Sequence, residues 1–168
     1  MSNFHAVTGR RLAALIALAI VAAPLSAQSA SITATATVFR PITISGARNL
    51  DFANVFPGVN KSVAVSAATS GRFDIVAEAS QAVSLTFALP TTLASGVNSL
   101  AIGSWNGCWN ATNSTTGCTT FTPSASASNA TVGGATNLYV FVGATVLPTA
   151  AQVAGAYTGT VSLTVAYF

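Results

Sequence analysis

The chain has 168 residues, 51% hydrophobic and only 5% charged, with six Lys/Arg, three Asp/Glu and one His. So few charges cannot build the Lys/Arg footprint that neutralises a run of phosphates, which argues against nucleic acid as a partner. The single histidine, His5, lies in a leader-like segment, so residues 28–168 hold none, and His-based triads, His metal sites and His acid/base catalysis are excluded there.

At the start of the chain, Arg10-Arg11 precedes twelve apolar residues, 12–23, and then Pro24-Leu25-Ser26-Ala27. These are the basic, apolar and small-residue parts of a secretory signal in order, which predicts a signal peptide over residues 1–27, cleaved after Ala27. The apolar run is well short of the ~20 residues that a bilayer core requires of a spanning helix. The remaining 141 residues suffice for one domain, in a compartment that permits disulfides. Their charges are Arg40, Arg48, Lys61 and Arg72 against Asp51, Asp74 and Glu78, a net of +1. Of the 141, 62 are Ala, Ser or Thr, a composition that suits sheet surfaces and secreted structural proteins better than a large enzyme core.

Period-two alternation dominates residues 28–168. Ala30, Ile32, Ala34, Ala36 and Val38 alternate with Ser31, Thr33, Thr35 and Thr37 up to Arg40-Pro41, which predicts an extended segment. Further strands are expected at 41–45, 62–67, 72–79, 83–89, 119–122, 138–147 and 157–168. Turn signals separate them at Pro57-Gly58, Ser70-Gly71, Pro90, Ser95-Gly96, Gly133-Gly134, Pro148 and Gly155. No segment after residue 27 sustains a 3.6-residue apolar stripe; residues 149–154 carry a helical turn at most. Between 91 and 135 the Ser/Ala/Asn composition specifies strand register only weakly. About seven short antiparallel strands in this length point to an all-β protein, a β-sandwich.

Within 72–79, Phe73, Ile75, Ala77 and Ala79 are expected to point inward and Arg72, Asp74, Val76 and Glu78 outward. If the preceding strand pairs here, Lys61 joins that charge group. Asp74 and Glu78, four residues apart on a strand, are separated by ~13 Å, too far for an inverting carboxylate pair, so they read as a solvated face with weak ion pairs. In the last strand Tyr157, Gly159, Val161, Leu163, Val165 and Tyr167 share one face, and an apolar face this regular must be covered by something. The apolar set is in phase with Tyr167 rather than with Phe168, contrary to an outer-membrane barrel strand that ends on a lipid-facing aromatic.

The only cysteines, Cys108 and Cys118, have nine residues between them in a Gly/Asn/Thr-rich stretch. Two thiols without histidine make an incomplete metal set, so one loop-closing disulfide is expected, worth roughly 3 kcal/mol in the chain-entropy model. Trp105 and Trp109 flank Cys108, with Asn106, Asn110 and Asn113 close in sequence. They could form a sugar-stacking platform, or pack beneath the loop as a small core. Gly133-Gly134 lacks the Lys-Ser/Thr of a phosphate loop, and without histidine the serines have only Lys61 as a base, so no catalysis and no cofactor are expected.

Several of these residues resemble the pilin-like subunits of bacterial chaperone–usher fimbriae, including spore-coat-protein-U-like and related secreted domains. Tyr167 is penultimate, Gly155 is fourteenth from the end, and Leu50-Asp51-Phe52-Ala53 is similar to that group's Leu-Asp-Phe-Gly, with Ala53 in place of the glycine. The resemblance implies an immunoglobulin-like sandwich over 40–168 that lacks a strand, preceded by an N-terminal extension, 28–39. Such an open edge invites wrong pairing unless it is covered. A periplasmic chaperone covers it first. The extension of a neighbouring subunit, passed on by an outer-membrane usher, then replaces the chaperone by strand addition. By this resemblance Ile32, Ala34, Ala36 and Val38 would be the donor residues, and Val161, Leu163, Val165 and Tyr167, with Gly155, the acceptor groove. The contact would be head-to-tail and give an open fibre at the cell surface. Alternatively residues 30–38 pair within their own chain, making a self-contained secreted binding domain.

Overall fold

A computed structural model describes residues 27–168, so all of the expected signal peptide but its last residue lies outside the described residues. The described chain falls into two units, residues up to Ala36 and Thr37–Phe168. In the first, residues 27–36 are exposed throughout and belong to no strand. The alternation over 30–38 thus forms no ladder among the described residues.

The second unit is all-β. In chain order its strands are β1 (Thr43–Arg48), β2 (Lys61–Val63), β3 (Gly71–Val76), β4 (Ala82–Ala88), β5 (Thr92–Ser95), β6 (Asn98–Asn110), β7 (Thr119–Phe121), β8 (Ser128–Thr131), β9 (Asn137–Leu147) and β10 (Ser162–Tyr167). Among the described residues no helix is long and apolar enough to cross a membrane.

All pairings are antiparallel. The larger sheet runs β1-β3-β9-β6-β5, with β2 added to β9 and β7 to β6. Its two long strands form the spine: β9 pairs β3 through its first half and β2 through its second, while β6 lies along its other side. β9 is buried on both faces because Leu138, Val140, Val142, Ala144 and Val146 line the interior and Phe141 lies on the reverse face. There Phe141 sits between Arg72 and Cys108 in register. The smaller sheet runs β10-β4-β8. In β4 the alternation is clean, with Val83, Leu85 and Phe87 buried and Ser84 and Thr86 half-buried on the other face.

The main core joins both sheets: Ile75 from β3, Leu138, Val140 and Val142 from β9, Val83, Leu85 and Phe87 from β4 and Ala130 from β8. A second cluster, of Phe52, Val63, Leu100, Ile102, Ala144 and Val146, fills one end. Trp105 is the half-buried side chain that packs against both. It can do so because the pairing of β6 with β9 slips between Gly103 and Asn106, where Ser104 has a positive φ of 49°. A bulge bends its strand and re-aims the side chain it releases.

Several expectations need correction. The first strand starts at Thr43, past Pro41, whose missing N–H cannot join a ladder. Lys61 belongs to β2, which pairs β9 and not β3; its ammonium donates to the Asn54 carbonyl (3.0 Å), away from the Arg72 group. The last strand is shorter than 157–168, since residues 157–161 precede β10 and Thr158 instead bridges Ala94 of β5. Between 91 and 135, where the composition specifies register only weakly and a single strand is expected at 119–122, there are four strands: β5, all of the 13-residue β6, β7 and β8. Residues 149–154, by contrast, hold no more than the turn expected there, in which the Gln152 N–H donates to the Thr149 carbonyl (3.1 Å).

Candidate functional site

The site is an open sheet edge. β10 pairs β4 along its whole length, Tyr167 against Val83 through Ser162 against Ala88, and its other edge pairs with no strand among the described residues. Leu163, Val165 and Tyr167 alternate with exposed Ser162, Thr164 and Ala166. Together with Val161 they pack on the main core from one side and remain only half-buried. β1 is an edge strand as well: it pairs only β3, and five of its six residues are exposed.

A cavity of about 390 Å³ opens between β1 and the run that leads into β10. Gly46 and Arg48 of β1 line one wall, and Thr158, Gly159 and Val161 of the run into β10 line the other. Its floor is apolar, formed by Phe52, Phe73, Leu93, Ile102 and Trp105. The crossing from the larger sheet to β10 is held close to β5: the Thr158 N–H donates to the Ala94 carbonyl (3.0 Å) and the Ala94 N–H to the Thr158 carbonyl (2.8 Å). That approach is why glycines stand here. A Cβ on Gly155 would come within 2.7 Å of Ser95 Oγ, and one on Gly159 within 2.7 Å of a Leu93 methyl. Nearby, Ala53 has φ 49°, the left-handed backbone that a glycine takes without strain, and its N–H donates to Asp51 Oδ1 (2.7 Å).

The opposite end of β10 anchors the root of the N-terminal segment. The Tyr167 hydroxyl donates to the Arg40 carbonyl (2.8 Å) and accepts the Glu78 N–H (2.7 Å). Glu78 Oε2 in turn accepts the Arg40 N–H (3.1 Å), and the Phe39 ring lies 5.3 Å from the Tyr167 ring. Ile42 then packs into the main core. Residues 39–42 are therefore pinned to the domain beside the last residues of β10. Before them, Val38 is 92% exposed, and farther up the chain Ile32 is 96% exposed, with Ala34 and Ala36 also exposed.

Elsewhere in the domain, Phe73, Ile75 and Ala77 face the core as expected, while Arg72 and Asp74 form a bidentate pair at 2.7 and 3.1 Å. Asp74 and Glu78 serve different partners and do not converge on one point. Cys108 and Cys118 are disulfide-bonded. Within the loop they close, the Asn110 side-chain amide donates to the Ser114 and Thr116 carbonyls, and Asn113 Oδ1 accepts from Arg72. Trp105 and Trp109 are both half-buried against the core, Trp105 at the cavity floor, rather than paired as an exposed platform. The anchoring roles of Phe39, Arg40 and Glu78 have no motif; the available clue was an aromatic at 39 breaking the small-residue alternation next to the root. Arg48 was equally silent: it donates to the Ser70 carbonyl and to the hydroxyl of Ser70, the buried polar side chain among the described residues.

No family model, curated protein or solved structure matches this chain.

Proposed function

We propose that the chain is a structural subunit of a surface fibre, exported and assembled by strand exchange. On this reading residues 40–168 are an immunoglobulin-like sandwich that lacks one strand. Residues 28–38 of a neighbouring copy supply it, after a periplasmic chaperone and an outer-membrane usher have kept the edge covered. The observation that carries the reading is the free edge of β10, where Leu163, Val165 and Tyr167, in phase with Val161 just before the strand, are half-buried on one side, next to a cavity that Val161 helps to line. A strand laid there would gain main-chain hydrogen bonds along β10 and bury alternate side chains. Burying an Ile or Val fully is worth about 1.5–3 kcal/mol each, so Ile32 and Val38 supply most of the apolar term and Ala34 and Ala36 permit close approach. The extension suits the role because residues 27–38 lie in no ladder of their own. Disulfide formation at Cys108–Cys118 fits an exported protein.

The test compares the full chain with one lacking residues 28–38. Fibres are expected from the first only, and a synthetic peptide of 28–38 should bind the shortened chain. Fibres formed equally well by the shortened chain would refute the reading.

A further inference from the structure

β10 gives the domain two distinct ends. Tyr167, the Val83 end of β4, Glu78 and the Phe39–Arg40 anchor mark one, the root end. The other, the far end, holds the residue 49–60 and 148–157 loops, which are joined where the Gly58 N–H donates to the Thr149 carbonyl (2.9 Å). There a second cavity, of about 590 Å³, shares Leu50, Phe52 and Tyr157 with the groove cavity and is rimmed by Phe56 and Val153, which are 68% and 53% exposed. No charge other than Asp51 lines it. Exposed aromatics also mark the root end, where Phe168 is 73% exposed and Phe39 is 42% exposed.

We infer that the far-end patch around Phe56 and Val153 docks the root end of a second copy, the copy whose strand occupies the groove. This contact presupposes strand exchange, and strand direction and tether length then require it. A donor running parallel to β10 would bring its own Phe39 and Arg40 to the Tyr167 end, which this chain's Phe39 and Arg40 already fill. The donor must therefore run the other way, with Val38 beside Val161 and Ile32 toward Tyr167. Its next residue, Phe39, is already tied to its own domain. Even with that tie released, the five steps from Val38 to Thr43 extend no more than about 18 Å. A domain of this size has a radius of gyration of about 13–15 Å, so one tethered that closely must lie against the far end of its acceptor. The apolar, nearly uncharged rim at Phe56 and Val153 is the surface it meets, and Phe39 and Phe168 are the side chains it brings. Two different surfaces meet, so the contact repeats from copy to copy without closing.

Two cysteine pairs in the full chain separate this inference from the reading beneath it. F56C/F168C reports contact between ends, and T35C/T164C reports a donor strand lying on β10. All four positions are exposed, so folding is not at risk. Under mild oxidation both pairs should give ladders of cross-linked copies, and Phe56→Ser with Val153→Ser should weaken assembly about tenfold. A ladder from T35C/T164C alone would overturn the end contact and leave strand exchange standing. A ladder from F56C/F168C alone, or from neither, would overturn both.

Discussion

Residues 30–38 and 161–167 carry the same period-two alternation, and the structure treats them in opposite ways. The later segment enters β10 and packs on the core; the earlier one enters no strand among the described residues. Side-chain size accounts for much of the difference. Val161, Leu163, Val165 and Tyr167 each bring enough apolar area to hold a strand against the core, whereas the inner pair of the earlier set is Ala34 and Ala36. Alternation announces a strand that can be half-buried, and does not by itself supply the neighbour. One segment has its face and lacks a partner on one edge; the other has the pattern of a partner and no sheet.

Substitutions can sharpen that contrast. Leu163→Ala removes a side chain that already packs on the core, and at a half-buried site it should cost about 2 kcal/mol, the low end for such truncations, read as a lower denaturation midpoint with unchanged m-value. A smaller loss, about 1–1.5 kcal/mol, is expected from Tyr167→Phe. It keeps the ring on Phe39 but leaves the Glu78 N–H and the Arg40 carbonyl without the hydroxyl. Faster amide exchange at Glu78 should accompany it, because the hydroxyl is that amide's partner. Ile32→Ser, the change in the earlier segment, should leave the stability of the isolated chain within about 0.5 kcal/mol while weakening assembly. If Ile32→Ser destabilised the isolated chain as much as Leu163→Ala, residues 30–38 would be packing in cis.

The all-β character, the presence of strands at β4 and β9, the core faces of β3 and β10 and the disulfide were legible in the sequence, because each rests on a local pattern: strict alternation, an apolar run, or two lone cysteines. β6, the longest strand, was not. Its Gly, Ser and Asn residues blur the apolar signal, and the bulge at Ser104-Trp105 shifts the phase midway, so neither half reads as a continuation of the other. β5 and β8, four residues each, are too short to carry a period and exist because β6 and β4 offer them edges. Of the site, the groove face of β10 was visible as alternation. The cavity beside it was not, since its floor is assembled from Phe52, Phe73, Leu93, Ile102 and Trp105, five positions scattered over half the domain. The anchor at Tyr167 was hidden for a similar reason: each of its three bonds pairs the Tyr167 hydroxyl or the Glu78 carboxylate with a backbone group, and a backbone partner leaves no trace in side-chain pattern.

Amide hydrogen exchange along β10 tests the central claim most directly, comparing the isolated full chain with its assembled form. In an antiparallel strand alternate amides bond to one neighbour and the rest face the opposite side. The β10 amides bonded to β4 should be protected in both forms. Those facing the free edge should exchange rapidly in the isolated chain and become protected on assembly, together with amides of residues 28–38. Free-edge amides already protected in the isolated chain, or still unprotected after assembly, would contradict the claim that β10 waits for a strand from another copy.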